Sequence, residues 1–383
     1  MTTSPVLSPL TIRAVEVVLP CSDLDATVDF FLDPLGFRLD VIMPADDPAV
    51  ALLSGHGMRI RLDRGATGDP GDLRLAVDEP HFFPTDLLTA PNGTRIHVVD
   101  ADPPLVVPDA APLFELTRDD GDVGGEGRAG MRYRDLLPKR QGGRFIASHI
   151  LIPEGGPVPD YVHHHRVRFQ MIYCAAGWVR VVYEDQGPAF VLKAGDCVLQ
   201  PPGIRHRVLE SSPGLEVVEI GCPAEHETTA EHVITLPTPE VRPDRIFDGQ
   251  RFVRHAAAEA TWEPWRSAGF EVRDTGIGAA TDGLAGVRVV RLSGNAASAN
   301  DGVSAEDVMS TMDVIHDGEL LFWFILAGTT TLHAQGRPDE PLGRGAAVAV
   351  PAGLGHRLGE HSDDLELLEI TLPAALEVRT TTR

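Results

Sequence analysis

Two stretches of the chain decide its architecture: GDCVLQPPGIRHRVLESSPGLEVVEI at residues 195–220 and GAAVAVPAGLGHRLGEHSDDLELLEI at residues 345–370. They share glycines, a proline, a His-Arg pair and glutamates at a constant offset of 150 residues. In the first copy the shared residues are Gly195, Pro201, Gly203, His206, Arg207, Glu210, Glu216 and Glu219. Such self-similarity indicates a duplicated structural module. The chain therefore carries one small fold twice.

A β-rich run that turns at a glycine precedes each copy. The two runs are MIYCAAGWVRVVYED around Gly177 and FWFILAGTTTLHAQG around Gly328. Apolar and β-branched residues on both sides of a glycine are typical of a β-hairpin. We therefore expect a mainly β protein in which each module is one small barrel.

The domain boundaries follow from composition. The segment TLPTPEVRPDRIFDG, rich in proline and charge, separates the modules, so we place the first at residues 108–238 and the second at 239–383. Residues 1–107 form a separate region. There SDLDATVDFFLDPLGF predicts a helix that Ser22 caps and Gly36 ends, with one apolar face. That face comprises Leu24, Val28, Phe31 and Leu35.

Composition and charge narrow the class of partner. Hydrophobic residues make up 43% and charged residues 23% of the 383, a globular balance that suits two or three domains. The formal charge of -23 would repel phosphate backbones and anionic lipid. We therefore expect a small-molecule partner, neither nucleic acid nor membrane, with a homo-oligomer left open.

The beginning of the chain, MTTSPVLSPLTIRAVEVVLP, has no basic segment ahead of its apolar residues. No later apolar run approaches the roughly 18 residues that span a bilayer, so we expect a cytoplasmic protein. The cysteines form no CxxC pair, which argues against a disulfide framework or a zinc knuckle and predicts buried thiols. They are Cys21, Cys174, Cys197 and Cys222.

The residues with metal-ligand chemistry lie in HHHRVRFQMIYCAAG at residues 163–177. In a strand His163 and His165 share one face, while His164 points to the other. His206 follows a Pro-Gly turn, where an antiparallel neighbouring strand would supply a third imidazole. Imidazole suits iron, zinc, nickel and copper, and three histidines with open positions are a catalytic rather than a closed structural arrangement.

These residues resemble the motifs of the cupin superfamily. Its first motif is HxH, four residues, a glutamate, six residues and a glycine, and it matches at His163, His165 and Gly177, with Gln170 at the glutamate position. Its second motif, G-x5-P-x-G-x2-H, matches at every position: Gly195, Pro201, Gly203 and His206. The resemblance covers residues 130–236, and 245–373 as the duplicate. It implies a bicupin, two tandem double-stranded β-helix barrels, whose metal ligands are His163, His165, His206 and, as a candidate, Gln170.

The resemblance also implies a class of reaction. Because an amide replaces an anionic ligand, the ion keeps its double positive charge and would bind a small anionic or chelating organic substrate directly. Cupins with three histidines include dioxygenases, so we expect a metal-dependent oxidoreductase, a non-haem Fe(II) dioxygenase. Zinc, manganese or nickel would fit the same imidazoles as a Lewis acid in a redox-neutral isomerase, lyase or hydrolase. A non-catalytic metabolite-binding cupin is the alternative from a different class.

The second module departs from the motif. It keeps His316 and His356, whereas Val314 and Leu321 replace the first histidine and the glutamate. Two ligands rarely hold a catalytic ion, so we expect a degenerate barrel kept for packing. The polar residues that could restore a site are Asp317 and Glu319.

Arginines and tyrosines near the first motif are candidates for orienting a substrate. Arginine binds a carboxylate through a bidentate fork, and tyrosine offers a phenol proton. We select Tyr173, Arg168 and Arg205 as candidate catalytic residues, with Tyr161 and Arg166 as further candidates. The alternative is that these arginines are solvated surface residues.

The N-terminal region resembles the glyoxalase or vicinal-oxygen-chelate family. The runs AVEVVLP, FRLDVIM, AVALLS and MRIRLD around the predicted helix give the β-α-β-β-β order of one module of that family. A second module, from Asp72 to Val99, would be truncated. Glu16 and His97 fall at ligand positions of the family with glutamate and histidine exchanged. We favour a scaffold or oligomerisation role for this small α+β domain.

Overall fold

The computed structural model describes residues 11–121, 125–127, 130–267, 269–293 and 313–380. The chain divides into two compact units, and the division falls between Pro104 and Leu105. The part of the chain that the structure describes holds two α-helices among 34 strands. The expectation of a mainly β protein is confirmed.

The first unit contains a four-stranded and a three-stranded sheet. Its elements are β1 (Val17–Pro20), α1 (Leu24–Leu32), β2 (Arg38–Met43), β3 (Val50–Gly55), β4 (Met58–Asp63), β5 (Asp72–Val77), β6 (Leu87–Thr89) and β7 (Arg95–Asp100). The sheets have the orders β1-β4-β3-β2 and β5-β7-β6, with β1 parallel to β4. The β-α-β-β-β order thus occurs as the sequence indicates, while membership of the glyoxalase family stays a prediction.

Helix α1 presents the predicted apolar face to the core of its unit. Leu24 and Phe31 are fully buried, and Val28 is 8% exposed. The cap is Asp23 rather than Ser22, because the Asp23 carboxylate accepts a hydrogen bond from the Ala26 amide at 3.2 Å. The helix begins one residue later than the sequence suggested.

The second unit begins with thirteen short strands. They are β8 (Glu115–Thr117), β9 (Gly125–Glu126), β10 (Arg132–Asp135), β11 (Ile146–Ile152), β12 (Gly156–Pro157), β13 (His163–His165), β14 (Phe169–Ala176), β15 (Trp178–Tyr183), β16 (Phe190–Lys193), β17 (Cys197–Leu199), β18 (His206–Ser211), β19 (Leu215–Cys222) and β20 (Thr228–Ala230).

Its remaining elements include one helical turn. They are β21 (Ile246–Phe247), β22 (Gln250–Arg251), β23 (Val253–His255), β24 (Glu263–Pro264), β25 (Phe270–Asp274), α2 (Ile277–Ala280), β26 (Gly286–Leu292), β27 (Val314–His316), β28 (Leu320–Ala327), β29 (Thr329–Ala334), β30 (Glu340–Gly343), β31 (Ala347–Val350), β32 (His356–Gly359), β33 (Glu366–Leu372) and β34 (Val378–Thr380).

These strands form two barrels of matching topology, each built from a larger and a smaller sheet. The first barrel has the sheets β23-β17-β14-β19-β11-β10-β9 and β16-β15-β18-β13-β20. The second has the sheets β24-β25-β26-β33-β28-β31-β8 and β30-β29-β32-β27-β34. The smaller sheets repeat one another strand for strand. The duplication predicted from the sequence is therefore a pair of tandem cupin-type barrels.

The barrels exchange one strand in each direction. β8 pairs with β31 of the second barrel, although it precedes the first barrel in sequence. β23 pairs with β17 of the first barrel, although it follows the segment that separates the modules. Each larger sheet is thus completed by one strand from the other module's part of the sequence.

Alternation along β14 sends its side chains to two different places. Phe169, Met171 and Tyr173 pack into an apolar core shared with Phe322 and Phe324 of β28. The residues between them face the interior of the first barrel, where Ile172 lines a cavity. Burial of each such large side chain contributes about 2 kcal/mol, so this core holds the two barrels together.

All four cysteines are buried and free, as expected.

Candidate metal centre in the first barrel

Three histidines converge on the inner face of the smaller sheet of the first barrel. His163 and His165 lie on β13, and His163 pairs directly with His206 on antiparallel β18. One ligand atom from each histidine lies within 4.8 Å of the others. His164 is not among the residues that line the cavity at this point. The structure thus brings together the three predicted ligands.

The Pro-Gly turn positions His206. Gly203 has a φ of 72°, in the left-handed region that glycine adopts without steric strain. Its amide donates to the carbonyl of His165 at 3.0 Å, which ties the turn to the strand that carries the other two imidazoles. The turn after Pro201 therefore places His206 next to His163 and His165.

Hydrogen bonds to backbone carbonyls fix the tautomers of two of the three imidazoles. Nδ1 of His163 donates to the Tyr161 carbonyl at 2.8 Å, and Nδ1 of His206 donates to the Ile204 carbonyl at 3.0 Å. Since a carbonyl only accepts, the proton is on Nδ1 and the lone pair of each ring is on Nε2. Nδ1 of His165 lies 2.9 Å from the Thr228 hydroxyl. Metal-ligating histidines are held in this way, so the donor set fits a divalent transition metal.

The histidines lie at the wall of a cavity of about 260 Å³. The lining is mainly apolar, and no lysine or arginine contributes to it within the described ranges. The aliphatic lining residues are Ile146, Ile150, Ile152, Ile172, Val179, Val181, Leu192, Val208, Leu215 and Val217. A pocket of this kind accommodates an apolar molecule with a polar group at the histidine end.

Polar residues that the sequence did not single out as site residues also line this cavity. Tyr183 stacks on His206 with ring centroids 5.4 Å apart, and its hydroxyl accepts a hydrogen bond from Gln200 at 2.9 Å. The His226 ring lies 5.4 Å from that of His165. Glu219 also lines the cavity. Of these residues only Glu219 had a signal in the sequence, its duplication at an offset of 150 residues.

Gln170, the candidate fourth ligand, is 1% exposed and has neighbours of its own. Its Nε2 donates to Oε1 of Glu219 at 2.6 Å, and its backbone carbonyl accepts from the Gln200 amide at 2.9 Å. Its side chain thus contacts a carboxylate that itself faces the cavity. Ligation by Gln170 stays a prediction.

The structure does not bring the three candidate catalytic residues to the cavity. Tyr173 lies in the core between the barrels, where burial raises the pKa of its phenol, because odd positions of β14 face away from the first barrel's interior. Arg168 donates to Glu319 at 2.9 Å. Arg205 donates to Glu231 at 2.9 Å. The two arginines are therefore engaged in ion pairs outside the cavity lining.

The two further candidates lie near the histidine strand but outside the lining of the cavity. Tyr161 is 44% exposed, and its ring centroid lies 5.6 Å from that of His163. The backbone amide of Arg166 donates to the Glu227 carbonyl at 3.0 Å, in line with the pairing of β13 and β20.

Among the described residues of the second barrel, the histidines are not arranged as they are in the first barrel. Nε2 of His316 donates to the Val350 carbonyl at 3.0 Å, while its Nδ1 accepts from the Gly318 amide at 3.1 Å, so both ring nitrogens are engaged. Burial lowers the pKa of His356 to about 4. Only His356 keeps the tautomer seen in the first barrel, with Nδ1 donating to a carbonyl, at Leu354.

An ion pair occupies the interior of the second barrel. Glu369 is 0% exposed and binds Arg266 through two hydrogen bonds of 2.9 and 2.5 Å. The indole of Trp323 donates to the same carboxylate at 3.0 Å. Glu319, considered above as a substitute ligand, binds Arg144 at 2.8 Å and Arg168. The buried Glu369 carboxylate of the second barrel is therefore paired with the guanidinium group of Arg266.

The candidate ligands of the first unit are separated. Glu16 lies just before β1 and contacts Arg59 at 3.4 Å, whereas His97 lies on β7 of the other sheet, 3.1 Å from Asp72. Within the described ranges, the group of three ligand side chains close enough to hold an ion is the histidine triad of the first barrel.

No helix in the described part is long and apolar enough to cross a membrane.

Comparison with known proteins identifies the same region. The model of the cupin domain family matches residues 148–220, which contain all three histidines. A search of curated proteins finds no match.

Solved structures with similar folds include two oxalate decarboxylases. Bacillus subtilis oxalate decarboxylase is 13% identical over 71% of this chain and 79% of that chain, with a TM-score of 0.48. The formate complex of the Lactobacillus farciminis enzyme is 13% identical over 68% and 86%, with a TM-score of 0.47. Protein Ylba from E. coli is 11% identical over 70% and 94%, with a TM-score of 0.46. The strand pairing of this chain itself establishes that the second barrel repeats the first.

Proposed function

We propose that the first barrel is a cupin-type metal-dependent enzyme, in its most specific form a non-haem Fe(II) dioxygenase. His163, His165 and His206 hold the divalent metal, and a small organic substrate, anionic or chelating, occupies the adjoining cavity. The observation that carries the proposal is the convergence of three imidazole ligand atoms within 4.8 Å at the wall of an apolar cavity. A structural zinc site would have four protein ligands, whereas three leave positions for substrate.

A divalent ion held by three neutral imidazoles supplies Lewis acidity and, as iron(II), reactivity toward O2. The chain's own residues do the rest. The Tyr161 and Ile204 carbonyls keep the lone pairs of His163 and His206 on Nε2, and the ring of Tyr183 stacks on that of His206. The aliphatic walls exclude water and receive the apolar body of the substrate.

Metal content provides the first test, because the second barrel offers a matched control. His356 occupies the position of His206 in the duplicate, so His356→Ala removes an equivalent buried imidazole. The other motif histidine of that barrel, His316, has both ring nitrogens engaged. Wild type and His356→Ala should hold close to one iron per chain after loading, and His163→Ala/His206→Ala should hold none. Full occupancy in the double variant would refute the assigned centre.

Oxygen consumption tests the reaction class. The iron-loaded protein is offered catechols, β-diketones, thiols and hydroxy acids, with His163→Ala/His206→Ala in parallel. Uptake of O2 that needs both iron and substrate supports the dioxygenase. Turnover of the same compounds without O2 would instead identify a redox-neutral enzyme, and binding without turnover would identify a binding protein.

A further inference from the structure

Glu219 presents a carboxylate to the cavity that contains the histidine centre. Its strand, β19, lies between β11 and β14. Glu219 pairs with Ser148 on one side and with Ile172 on the other, and both of these residues line the same cavity. Since paired residues of neighbouring strands point to the same face, the Glu219 side chain projects into the barrel.

Gln170 holds this carboxylate. It occupies the position at which the HxH motif of the cupins has a glutamate, and its Nε2 donates to Oε1 of Glu219 at 2.6 Å. Because Gln170 is 1% exposed, the hydrogen bond is made away from water, where its geometry is well fixed. The negative charge of this wall therefore comes from β19 instead of β14.

The duplicate shows what a carboxylate at this position does inside a barrel. Glu369 stands where Glu219 stands, at the offset of 150 residues, and it binds the guanidinium of Arg266. The first cavity has no arginine or lysine in its described lining. In the first barrel Glu219 lines the cavity that also contains His163, His165 and His206.

We infer that Glu219, held by Gln170, selects the head group of the substrate at the histidine centre. A carboxylate accepts hydrogen bonds and does not donate them, so it favours a head group with a hydroxyl proton and opposes a second carboxylate. The aliphatic lining of the cavity favours a substrate with an apolar body. This inference rests on the proposed metal centre. Among anionic and chelating substrates, Glu219 would favour those that bind the metal through a hydroxyl group.

The experiment compares two ring compounds of similar size. Catechol has adjacent hydroxyl groups and benzoate has a carboxylate. Their affinities are measured by calorimetry on cobalt(II)-loaded wild type, Glu219→Gln and Glu216→Gln. The visible spectrum of cobalt(II) reports whether each head group reaches the ion. Glu216→Gln is the matched control, since it makes the same charge change on the same strand while its carboxylate binds His149 and Arg344 outside the cavity.

Wild type should prefer catechol. In Glu219→Gln benzoate should bind roughly tenfold tighter and catechol roughly tenfold weaker, because a like charge and a hydrogen-bond acceptor are both lost. Glu216→Gln should keep the wild-type preference. Glu219→Asp retains the charge and should keep benzoate excluded, which covers the case in which the glutamine variant does not fold.

Two results would overturn the inference while leaving the metal centre intact. One is cobalt(II)-loaded wild type that prefers benzoate. The other is Glu219→Gln with normal cobalt(II) content and an unchanged preference. Failure of wild type to bind cobalt(II) at all would instead refute the proposed metal centre itself.

Discussion

The buried His356 should make the second barrel sensitive to acid. It is 2% exposed, its Nδ1 donates to the Leu354 carbonyl at 2.9 Å, and its ring lies 5.5 Å from that of Trp323. Burial lowers the pKa of His356 from 6.5 to about 4, and the nearby His316 and Arg266 act in the same direction. The folded protein therefore keeps this imidazole neutral at a pH where the unfolded chain protonates it.

The sign and size of the effect follow from these pKa values. Because the pKa in the folded state is lowered, the contribution to stability is complete above about pH 6.5 and is lost as the pH falls toward about 4. Each pH unit in that window corresponds to about 1.4 kcal/mol. The total is about 3 kcal/mol, of which about 2 kcal/mol is lost by about pH 5.

The assay is urea unfolding of wild type and His356→Asn between pH 7.5 and 5. Asparagine keeps a donor close to the position of Nδ1 but does not titrate. Tryptophan fluorescence is a suitable probe, since Trp262, Trp265 and Trp323 all lie in the second half of the chain. The free energy of unfolding of wild type should fall relative to the variant by about 2 kcal/mol over this range. A difference between the two proteins that stays constant with pH would show that burial does not lower the pKa of His356.

Two further perturbations test the contrast between the barrels. Arg266→Leu should lower the free energy of unfolding by about 3 kcal/mol, because it leaves Glu369 buried without its cation, and Arg266→Leu/Glu369→Leu should recover most of the loss in urea titrations. Iron(II) at 100 times its Kd should stabilise wild type by about 3 kcal/mol in thermal melts and leave His163→Ala unchanged. If Arg266→Leu were as stable as wild type, the first expectation would be wrong. If iron(II) still stabilised His163→Ala, the second would be wrong.

The geometry of the triad could be predicted because it depends on short-range rules. The period of a strand places His163 and His165 on one face, and the Pro-Gly turn before His206 leads into an antiparallel strand. The duplicated stretches likewise revealed two barrels, since they share glycines and prolines at turn positions. The apolar face of α1 followed from helical periodicity in the same way.

The remaining features depend on pairings between distant segments. No local pattern indicates that β8 completes the second barrel or that β23 completes the first. Tyr173 was chosen as a candidate catalytic residue because it lies near the HxH motif in sequence. The alternation of side chains along β14 directs its ring to the core between the barrels instead. The Arg266–Glu369 pair joins residues 103 positions apart, and the ring of His226 reaches His165 only through the pairing of β13 with β20.

Anomalous diffraction from a crystal grown with manganese(II) tests the metal centre most directly. We expect one strong peak between His163, His165 and His206, and no peak between His316 and His356. The same map would show whether the Gln170 amide reaches the ion or stays on Glu219. A peak in the second barrel would contradict its description as a degenerate barrel, and an occupied site elsewhere with none at the three histidines would refute the proposed metal centre.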